Sequence, residues 1–428
     1  MPIADLHNRF LNSAGICTDT RKIVAGAMFF ALRGDNFNGN QFARAALDAG
    51  ASCVVVDEAP ANDDNRYIVV DDVLQTLQQL AAFHRQYLNI PIVAITGTNG
   101  KTTTKELVFG VLSKKYATAA TQGNLNNHIG VPLTLLGMDK RTELGVVEMG
   151  ANHPGEIAAL CNIAQPNAGL ITNVGKAHLE GFGSFDGVKK TKGELYDYLV
   201  QHNGQIFAHS ENPHLMQMLH DRNASHNTLY GERTLHTCIL TANEQSPYFC
   251  FTHNGTPITT HLVGNYNAAN VWAAMAVGNY FGIPENEVLD AISCYQPTNC
   301  RSQWVETAHN HLIVDAYNAN PTSMATAIEN FKSLAATNKC LILGEMLELG
   351  ADSEQEHRNI IQQVEKAGFE RVLFVGKHFA ALPKPKQYID FDNVDELIAY
   401  IAQHPLQQQT MIIKGSHGVH LERVVPLL

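Results

Sequence analysis

The chain has 428 residues, of which 45% are hydrophobic and 17% are charged, and its formal net charge is −11. A chain of this length is too long for one ordinary core, and we expect three domains. No basic stretch is longer than pairs such as Lys114-Lys115, so a nucleic-acid partner is not expected.

Signals for membrane insertion, export and disulfide bonding are missing from the sequence. No apolar run reaches the ~18 residues that a membrane span needs, and Met1–Asp5 lacks the basic and apolar regions of an export signal. The eight cysteines include no C-x-x-C pair, which argues against a zinc site or a disulfide framework. We therefore expect a cytoplasmic protein that does not insert into a membrane.

The predicted elements begin with a small α/β domain in residues 1–88. Apolar runs at 26–32 and 52–56 predict strands, and the segment 41–49 between them predicts a helix. Pro91 separates this domain from the next one.

A phosphate-binding loop is predicted directly after the strand at 92–96. Its glycines allow backbone N–H groups to face phosphate oxygens, Lys101 can place a charge on the terminal phosphates, and Thr102 can bind a phosphate-bound Mg²⁺. The segment 105–112 is the expected helix whose N-terminus faces the anion. The alternative is a glycine turn that binds nothing. The predicted nucleotide-binding residues of this loop are Gly97, Thr98, Asn99, Gly100, Lys101, Thr102 and Thr103.

Strands alternate with helices from residue 89 to 297, which predicts a central, mostly parallel sheet. Glu148 ends one strand of this sheet, and His178 follows another. Ligands of open α/β sheets bind at such strand ends, so Glu148 is placed to hold Mg²⁺. Taken singly, Glu148, His178 and Lys192 could instead be an exposed acid, a satisfied histidine and a solvated lysine. The polar run at 209–260 is expected to be an irregular surface excursion.

Residues 298–428 repeat the alternation. Strands are predicted at 311–314, 340–343, 371–375 and 411–413, and helices at about 353–367 and 394–403. This pattern predicts a third, Rossmann-like domain. No G-x-G-x-x-G motif accompanies it, so a dinucleotide role has no support there.

The glycine loop departs from the general P-loop because Ile95 stands where the first glycine is expected. The compact T-G-T-N-G-K-T form resembles the loop of the Mur ligase superfamily, ATP-dependent enzymes that form peptide bonds, and that of folylpolyglutamate synthase and cyanophycin synthetase. The segments 148–152, 173–183 and 192–194 also resemble the central-domain motifs of Mur ligases.

This resemblance implies ATP and two Mg²⁺ ions. Thr102 and Glu148 would ligate one ion, and His178 with Glu148 would ligate the second. Lys192 would be carbamylated, because Mg²⁺ prefers oxygen ligands that a protonated lysine cannot supply. The implied catalytic residues are Lys101, Glu148, His178 and Lys192.

The resemblance also implies contacts to the nucleotide outside the loop. The segment 264–270 resembles the family's G-x-[HN]-N-x-x-N element, which makes Asn267 and Asn270 candidate adenine contacts. Capping of the following helix is their alternative role. Arg301 would approach phosphate and Asp315 the ribose. Cys300 stands where a glycine commonly precedes this arginine.

Three segments, 315–323, 343–350 and 414–416, are typical of the Mur ligases that add D-alanyl-D-alanine to UDP-N-acetylmuramoyl-tripeptide. The segments 18–21 and 26–34 resemble the UDP-binding domain of such enzymes, so the three domains would bind UDP-substrate (1–88), ATP (89–297) and the incoming dipeptide (298–428).

The implied substrate-binding residues are Thr20 and Arg21 for the nucleotide and Asn320 and Ser416 for the dipeptide, although the latter two could make ordinary loop hydrogen bonds. A monomer is expected. The alternatives are a Mur-type ligase that adds a single amino acid and a noncatalytic nucleotide-binding regulator.

Overall fold

The computed structural model describes residues 1–34, 36–60, 64–240, 247–298 and 300–428. In these ranges, three α/β domains follow one another along the chain, each built on a sheet that is wholly or mostly parallel. Each sheet together with its helices is called a layer below. This confirms the predicted fold class: a small N-terminal α/β domain, a central P-loop ATPase-type sheet and a Rossmann-like third domain. The exact domain limits remain predictions.

The first layer is a four-stranded parallel sheet in the order β1-β2-β5-β6, beside a short antiparallel pair of β3 and β4. Its elements are α1 (Ile3–Leu11), β1 (Ile16–Cys17), β2 (Met28–Phe30), β3 (Arg33–Gly34), β4 (Phe37–Asn38), α2 (Ala43–Asp48), β5 (Cys53–Val56), β6 (Tyr67–Val69) and α3 (Val73–Leu88). The Asp72 side chain caps α3 by accepting from the Gln75 N–H. Leu77 and Leu80 of α3 are buried in a core shared with the central layer, which joins the two layers firmly.

The central layer is a six-stranded parallel sheet in the order β12-β11-β10-β7-β9-β8. Its elements are β7 (Ile92–Thr96), α4 (Lys101–Leu112), β8 (Thr118–Ala120), α5 (Gly130–Leu136), β9 (Leu144–Glu148), α6 (Glu156–Ala164), β10 (Ala168–Ile171), α7 (Leu179–Phe182), α8 (Phe185–Gln201), β11 (Gln205–His209), α9 (Pro213–Asp221) and β12 (Asn227–Tyr230). Strands β8 and β9 lie on one side of β7 and strands β10 to β12 on the other. Strand β7 therefore ends at a switch point of the sheet, where ligands of such folds bind.

The segment 209–260 is more regular than its composition suggested, so the prediction of an irregular excursion is wrong. Besides α9 and β12, it contributes to a three-stranded antiparallel sheet of β13 (Thr237–Leu240), β14 (Tyr248–His253) and β15 (Thr256–Val263), which precedes α10 (Ala268–Tyr280) and α11 (Glu285–Cys294). Alternate residues of β14, Phe249 and Phe251, are buried against the same core as α10. This inward face gives the segment its order.

The third layer is a six-stranded sheet in the order β16-β17-β21-β18-β19-β20, parallel except for its edge strand β16. Its elements are β16 (Gln303–Glu306), β17 (His311–Asp315), α12 (Pro321–Ser333), β18 (Lys339–Gly344), α13 (Ser353–Ala367), β19 (Arg371–Val375), α14 (Lys377–Ala380), β20 (Ile389–Phe391), α15 (Val394–Gln403) and β21 (Thr410–Lys414). The four predicted strands and two predicted helices are all present. The edge strands, α12 and α14 were not predicted.

Two short 3₁₀ helices, His417–Val419 and Leu421–Leu427, follow β21. Among the helices of the described residues, none is both long and apolar enough to cross a bilayer.

Candidate active site

A cleft of about 920 Å³ lies where the central and third layers meet. Its central wall is built at the carboxyl ends of β7, β9 and β10, and its other wall comes from loops of the third layer. Twelve of the predicted site residues line it: Thr98, Asn99, Gly100, Lys101, Thr102, Thr103, Glu148, His178, Asn267, Asn270, Arg301 and Asp315. The structure therefore brings these twelve residues together in one cavity.

The glycine loop is held in shape by the loop that follows β10. The Asn99 N–H donates to Asn173 Oδ1 (3.0 Å), and the Thr172 hydroxyl donates to the Asn99 carbonyl (2.6 Å). A side chain at Gly97 would collide with this same hydroxyl, and Gly100 has φ +78°, so both positions require glycine. Thr172 and the supporting role of Asn173 were not predicted from the sequence.

Helix α4 begins at Lys101, four residues before the predicted start. Within the described residues, no side chain caps this helix, so the N–H groups of its first turn remain free to bind an anion. Thr102 is buried in that first turn and lines the cleft. The backbone geometry thus fits a phosphate group.

The Lys101 ammonium folds back onto the loop, donating to the Gly97 carbonyl at 2.8 Å and the Thr98 carbonyl at 3.0 Å. Burial lowers the pKa of Lys101 to about 8. The ammonium therefore stabilises the loop itself. It would have to break these two hydrogen bonds to reach a phosphate.

Glu148 is almost completely buried at the end of β9, with 1% of its surface exposed. Its Oε1 accepts from the Asn126 amide at 2.8 Å, whereas Oε2 has no hydrogen-bond partner among the residues that the structure describes. A buried carboxylate oxygen without a partner is costly unless a cation or donor arrives. Together with the Thr102 hydroxyl on the same cleft, this oxygen fits a Mg²⁺ ion.

A chain of hydrogen bonds fixes the backbone at Glu148. The Glu148 N–H donates to the Thr121 hydroxyl (3.0 Å), and the buried Lys105 ammonium donates to the Thr121 carbonyl (2.7 Å). Lys105 lies on α4, so the helix of the glycine loop and the carboxylate are held in register.

His178 lines the cleft but is engaged with the third layer. Its Nδ1 lies 2.5 Å from Oε2 of Glu348, and the nearby His178 lowers the pKa of that carboxyl. Both residues have left-handed backbone conformations, with φ +49° and +62°. A second link, between the Lys176 ammonium and Glu356 at 2.7 Å, joins the same two layers. His178 therefore already contacts Glu348, and its predicted role as a cation ligand would compete with this contact.

Asn267 and Asn270 form a buried amide network. Asn270 Nδ2 donates to Asn267 Oδ1 (3.0 Å), and Asn270 Oδ1 accepts from the Thr104 hydroxyl of α4 (3.0 Å). Neither side chain caps α10 in the described structure, so the alternative of helix capping does not apply. The network fastens α10 to the helix of the glycine loop.

Arg301 and Asp315 supply the opposite wall. The Arg301 guanidinium lies 3.8 Å from the centre of the Tyr317 ring, which is close enough for cation–π attraction. Asp315 Oδ2 accepts from the buried Lys414 ammonium at 2.6 Å. The arginine is therefore oriented by an aromatic ring, while the acid is already paired.

Comparison with known proteins assigns the whole chain. Residues 12–85, 95–278 and 300–417 match the Mur ligase family catalytic domain, the Mur ligase middle domain and the Mur ligase glutamate ligase domain. A protein of Escherichia coli named UDP-N-acetylmuramoyl-tripeptide–D-alanyl-D-alanine ligase is 34% identical over 441 aligned positions, covering 100% of this chain and 97% of the relative. The chain belongs to the Mur ligase family.

Solved structures support the same assignment. The structure of MurF from Acinetobacter baumannii has a TM-score of 0.86 and 29% identity, covering 96% of this Mur ligase and 92% of that chain. MurF from Thermotoga maritima, solved in complex with ADP, has a TM-score of 0.84 and 25% identity over 98% of this chain and 97% of that one. The predicted family resemblance is thereby confirmed.

Some predicted residues of this Mur ligase lie outside the cleft lining. Lys192 is buried, and its ammonium lies 3.3 Å from the carbonyl of Ala151, a lining residue. Asn320 caps α12 and bonds to Asn99, while the Ser416 hydroxyl accepts from the Leu347 N–H. The predicted site residues that are not among the lining residues are Gly97, Lys192, Thr20, Arg21, Asn320 and Ser416.

An amide-rich loop of the cleft was also not predicted from the sequence. Asn124, Asn126, Asn127 and His128 line the cavity between β8 and α5. The signal was present, because a run of amides between Gly123 and Gly130 supplies many hydrogen-bonding groups in a short span.

Proposed function

We propose that this Mur ligase joins D-alanyl-D-alanine to UDP-N-acetylmuramoyl-tripeptide at the expense of ATP, in the synthesis of peptidoglycan precursors. The observation that carries the proposal is the shared cleft, which combines a phosphate loop, a half-paired buried carboxylate and an oriented arginine. The names of the relatives at high coverage support the choice of substrates.

The reaction has two steps. The terminal carboxylate of the tripeptide attacks the γ-phosphorus of ATP, giving an acyl phosphate and ADP. The amine of D-alanyl-D-alanine then attacks the acyl carbon, phosphate leaves, and the amine loses a proton as the amide forms. Negative charge develops on phosphoryl and tetrahedral oxygens, so the chain has to supply donors and cations, and no covalent nucleophile is required.

Each wall has its own part in this chemistry. The free N–H groups at the start of α4 and the Lys101 ammonium would bind the phosphates, and Arg301 would approach them from the other side. Asp315 would contact the ribose, and the remaining N–H of an amide such as Asn267 or Asn270 would contact adenine.

Thr102 and Glu148 would hold one Mg²⁺, and His178 with Glu148 a second. When bound, Mg²⁺ neutralises charge on the transferring phosphoryl group. The unpaired Glu148 Oε2 supports the first ion. The second requires His178 to exchange its contact with Glu348, so its occupancy is tied to the arrangement of the two layers.

Lys192 is proposed to carry a carbamate. Burial and the nearby Lys101 lower the pKa of Lys192 to about 7, so much of the amine is neutral and nucleophilic near neutral pH. The neutral amine would add to the carbon of CO₂ and release one proton, leaving an anionic carbamate. Lys192→Ala is expected to lose activity and to recover part of it with added short carboxylic acids. Full activity of the unsupplemented variant would rule the carbamate out.

The residues proposed to bind the two ends of the substrates come from the family resemblance alone. Thr20 and Arg21 would bind the uridine nucleotide, and Asn320 and Ser416 the dipeptide. The hydrogen bonds that Asn320 and Ser416 already make favour the alternative given for both residues, which is that they order their own loops. A monomer remains our expectation.

One assay separates the candidate functions. The protein is incubated with ATP, Mg²⁺, the nucleotide tripeptide and either D-alanyl-D-alanine or single amino acids, and phosphate release is measured. Release with the dipeptide supports the proposal, and release only with a single amino acid would assign a different ligase. No release under any condition would favour a noncatalytic regulator.

A further inference from the structure

A group of metal-binding side chains lies just after β21, and none of its members is among the residues that line the cleft. His417, His420 and Glu422 each offer one ligand atom, and these three atoms lie within 4.8 Å of one another. His420 Nδ1 is already 3.2 Å from a Glu422 oxygen. The two histidines are exposed and the glutamate is half-buried, so solvent metal can reach them.

The backbone holds this cluster in place. Ser416 and Leu421 are buried on either side of the first two ligands, and the Ser416 hydroxyl accepts from the Leu347 N–H. His420 has φ +58°, a left-handed conformation that reverses the chain between the two 3₁₀ helices. The reversal brings the rings of His417 and His420 to 5.7 Å between centroids, at 85° to each other. The ligands are therefore arranged by the fold and do not depend on chance contacts of a flexible tail.

We propose that His417, His420 and Glu422 bind a borderline divalent transition metal of the Zn²⁺ class, with water completing the coordination. Two imidazoles and one carboxylate suit Zn²⁺, Ni²⁺ or Cu²⁺, whereas Mg²⁺ prefers an all-oxygen shell. The cysteine spacing that argued against a zinc site does not bear on a histidine site.

The geometry requires only small movements. Tetrahedral bonds of about 2.0–2.1 Å place ligand atoms about 3.3 Å apart. The present separations are at most 4.8 Å, so side-chain rotation would have to shorten them by up to about 1.5 Å.

The bound metal would act as a clip. His417 follows directly on the Lys414–Ser416 segment, which pairs with Asp315 and the loop at Leu347, whereas Glu422 belongs to the last 3₁₀ helix. A metal would link these two segments beside the third-layer wall, because the His417 ring lies 5.6 Å from the ring of Tyr317, a residue that lines the cleft. The inference does not depend on the proposed ligase reaction.

The test is a titration of the full-length, tag-free protein with Zn²⁺ by calorimetry, in excess Mg²⁺, which competes for oxygen-ligand sites but not for histidine ligands. We expect one strong site in the native chain and in His404→Ala, a matched change of an exposed histidine on the same layer. In His420→Ala and Glu422→Gln, affinity is expected to fall by at least about tenfold, since even second-shell changes cost that much. Equal affinity in all four proteins would overturn the proposal.

Two further measurements guard against misfolding and binding elsewhere. Thermal unfolding in metal-free buffer should show the same midpoint in the four proteins, and added Zn²⁺ should raise it only in the native chain and His404→Ala. Co²⁺ should give the visible absorption of a low-coordinate site in those two proteins alone. A Co²⁺ spectrum that persists in His420→Ala would place the metal elsewhere and contradict the assignment.

Discussion

The two walls of the cleft differ in how their polar groups are satisfied. On the central wall, Glu148 keeps one carboxylate oxygen unpaired, and the first N–H groups of α4 are uncapped within the described structure. On the third-layer wall, Asp315 is paired with Lys414, and the Arg301 guanidinium lies against the Tyr317 ring. The central wall is thus prepared for charged ligands, whereas the other wall is held together by its own contacts.

Because of this difference, substitutions on the two walls should change different quantities, catalysis on one wall and folding stability on the other. An unpaired buried oxygen lowers stability until a ligand arrives, so its removal should harm catalysis and spare the fold. A buried pair contributes little net stability while intact but is expensive to break. Substitutions on the two walls should therefore fail in different assays.

The largest effect is expected from Glu148→Gln. Loss of the carboxylate charge should lower kcat/KM by about a thousandfold, because cation binding and charge stabilisation depend on it. The unfolding midpoint should stay the same or rise. Phosphate release and thermal unfolding measure the two quantities.

Glu156→Gln is the matched control for this substitution. Glu156 lines the same wall, but its carboxylate accepts from the N–H groups of Asn152 and His153. It should lose less than about tenfold of kcat/KM. Similar losses in the two variants would show that the unpaired oxygen has no special role.

The next effect is structural and concerns Lys414→Met. Removing the buried ammonium leaves the Asp315 carboxylate, which is 16% exposed, without its cation, which should cost about 3 kcal/mol of unfolding free energy. Trp304 lies on the same sheet and reports its unfolding by fluorescence when Trp272 is replaced by Phe. Lys339→Met, a change of a lysine without an ion pair among the described residues, should cost far less. An unchanged unfolding free energy in Lys414→Met would contradict the view that this wall is held together by its own ion pair.

Sequence patterns predicted the parts of the fold that depend on local periodicity. The buried strands at 92–96, 144–148, 311–315 and 371–375 are short apolar runs bounded by polar residues, and within each sheet the polar successors meet at one edge because parallel strands share a direction. This is why Lys101 and Glu148 could be placed in one site. Asp315 lies on the other sheet and was placed in the site by the family resemblance alone. Residues that line the cleft from a loop without such periodicity, such as Asn126 and His128, were missed.

Two other failures have physical reasons. The hairpin of β14 and β15 is joined at Asn254-Gly255, where both residues have positive φ, and this dipeptide is a strong hairpin signal that composition alone concealed. The contacts of His178 with Glu348 and of Lys176 with Glu356 join layers far apart in sequence. Such pairs depend on tertiary packing and leave no local pattern.

A pair of buried histidines remote from the cleft should make the stability of the fold depend on pH. His7 Nε2 and His84 Nδ1 are 2.9 Å apart, and His84 Nε2 donates to the Met138 carbonyl at 2.9 Å, which joins α1 and α3 to the central layer. Burial lowers the pKa of both histidines, so the folded chain binds fewer protons than the unfolded one. This contribution to stability is present above the unfolded pKa near 6.5 and is lost as the pH falls below it.

We therefore expect the unfolding free energy to decline between pH 6.5 and pH 5 by less than the Lys414→Met effect, flattening below the folded pKa values. A His7→Phe variant, which removes one of the two titrating rings but keeps the aromatic packing, should show a shallower decline. Equal slopes in the variant and the native chain would assign the pH response to other groups.

The smallest effect is expected at the turn that carries Arg301 to the third-layer wall. Cys300 has φ +53°, a conformation that glycine adopts freely and other L-residues adopt at a cost, and it stands where the family pattern has glycine. Cys300→Gly should relieve backbone strain in the folded chain and increase the conformational entropy of the unfolded chain. The first effect should be the larger, so the unfolding free energy should rise by about 0.5 kcal/mol. Cys300→Ala removes the sulfur but keeps the strained backbone, so it should show no gain. Urea unfolding followed at Trp304 compares the two variants, and the KM for ATP should stay unchanged because Tyr317 still holds the guanidinium. Destabilisation of the glycine variant relative to the alanine variant would mean that the left-handed turn is favoured by its surroundings and stores no strain for Arg301.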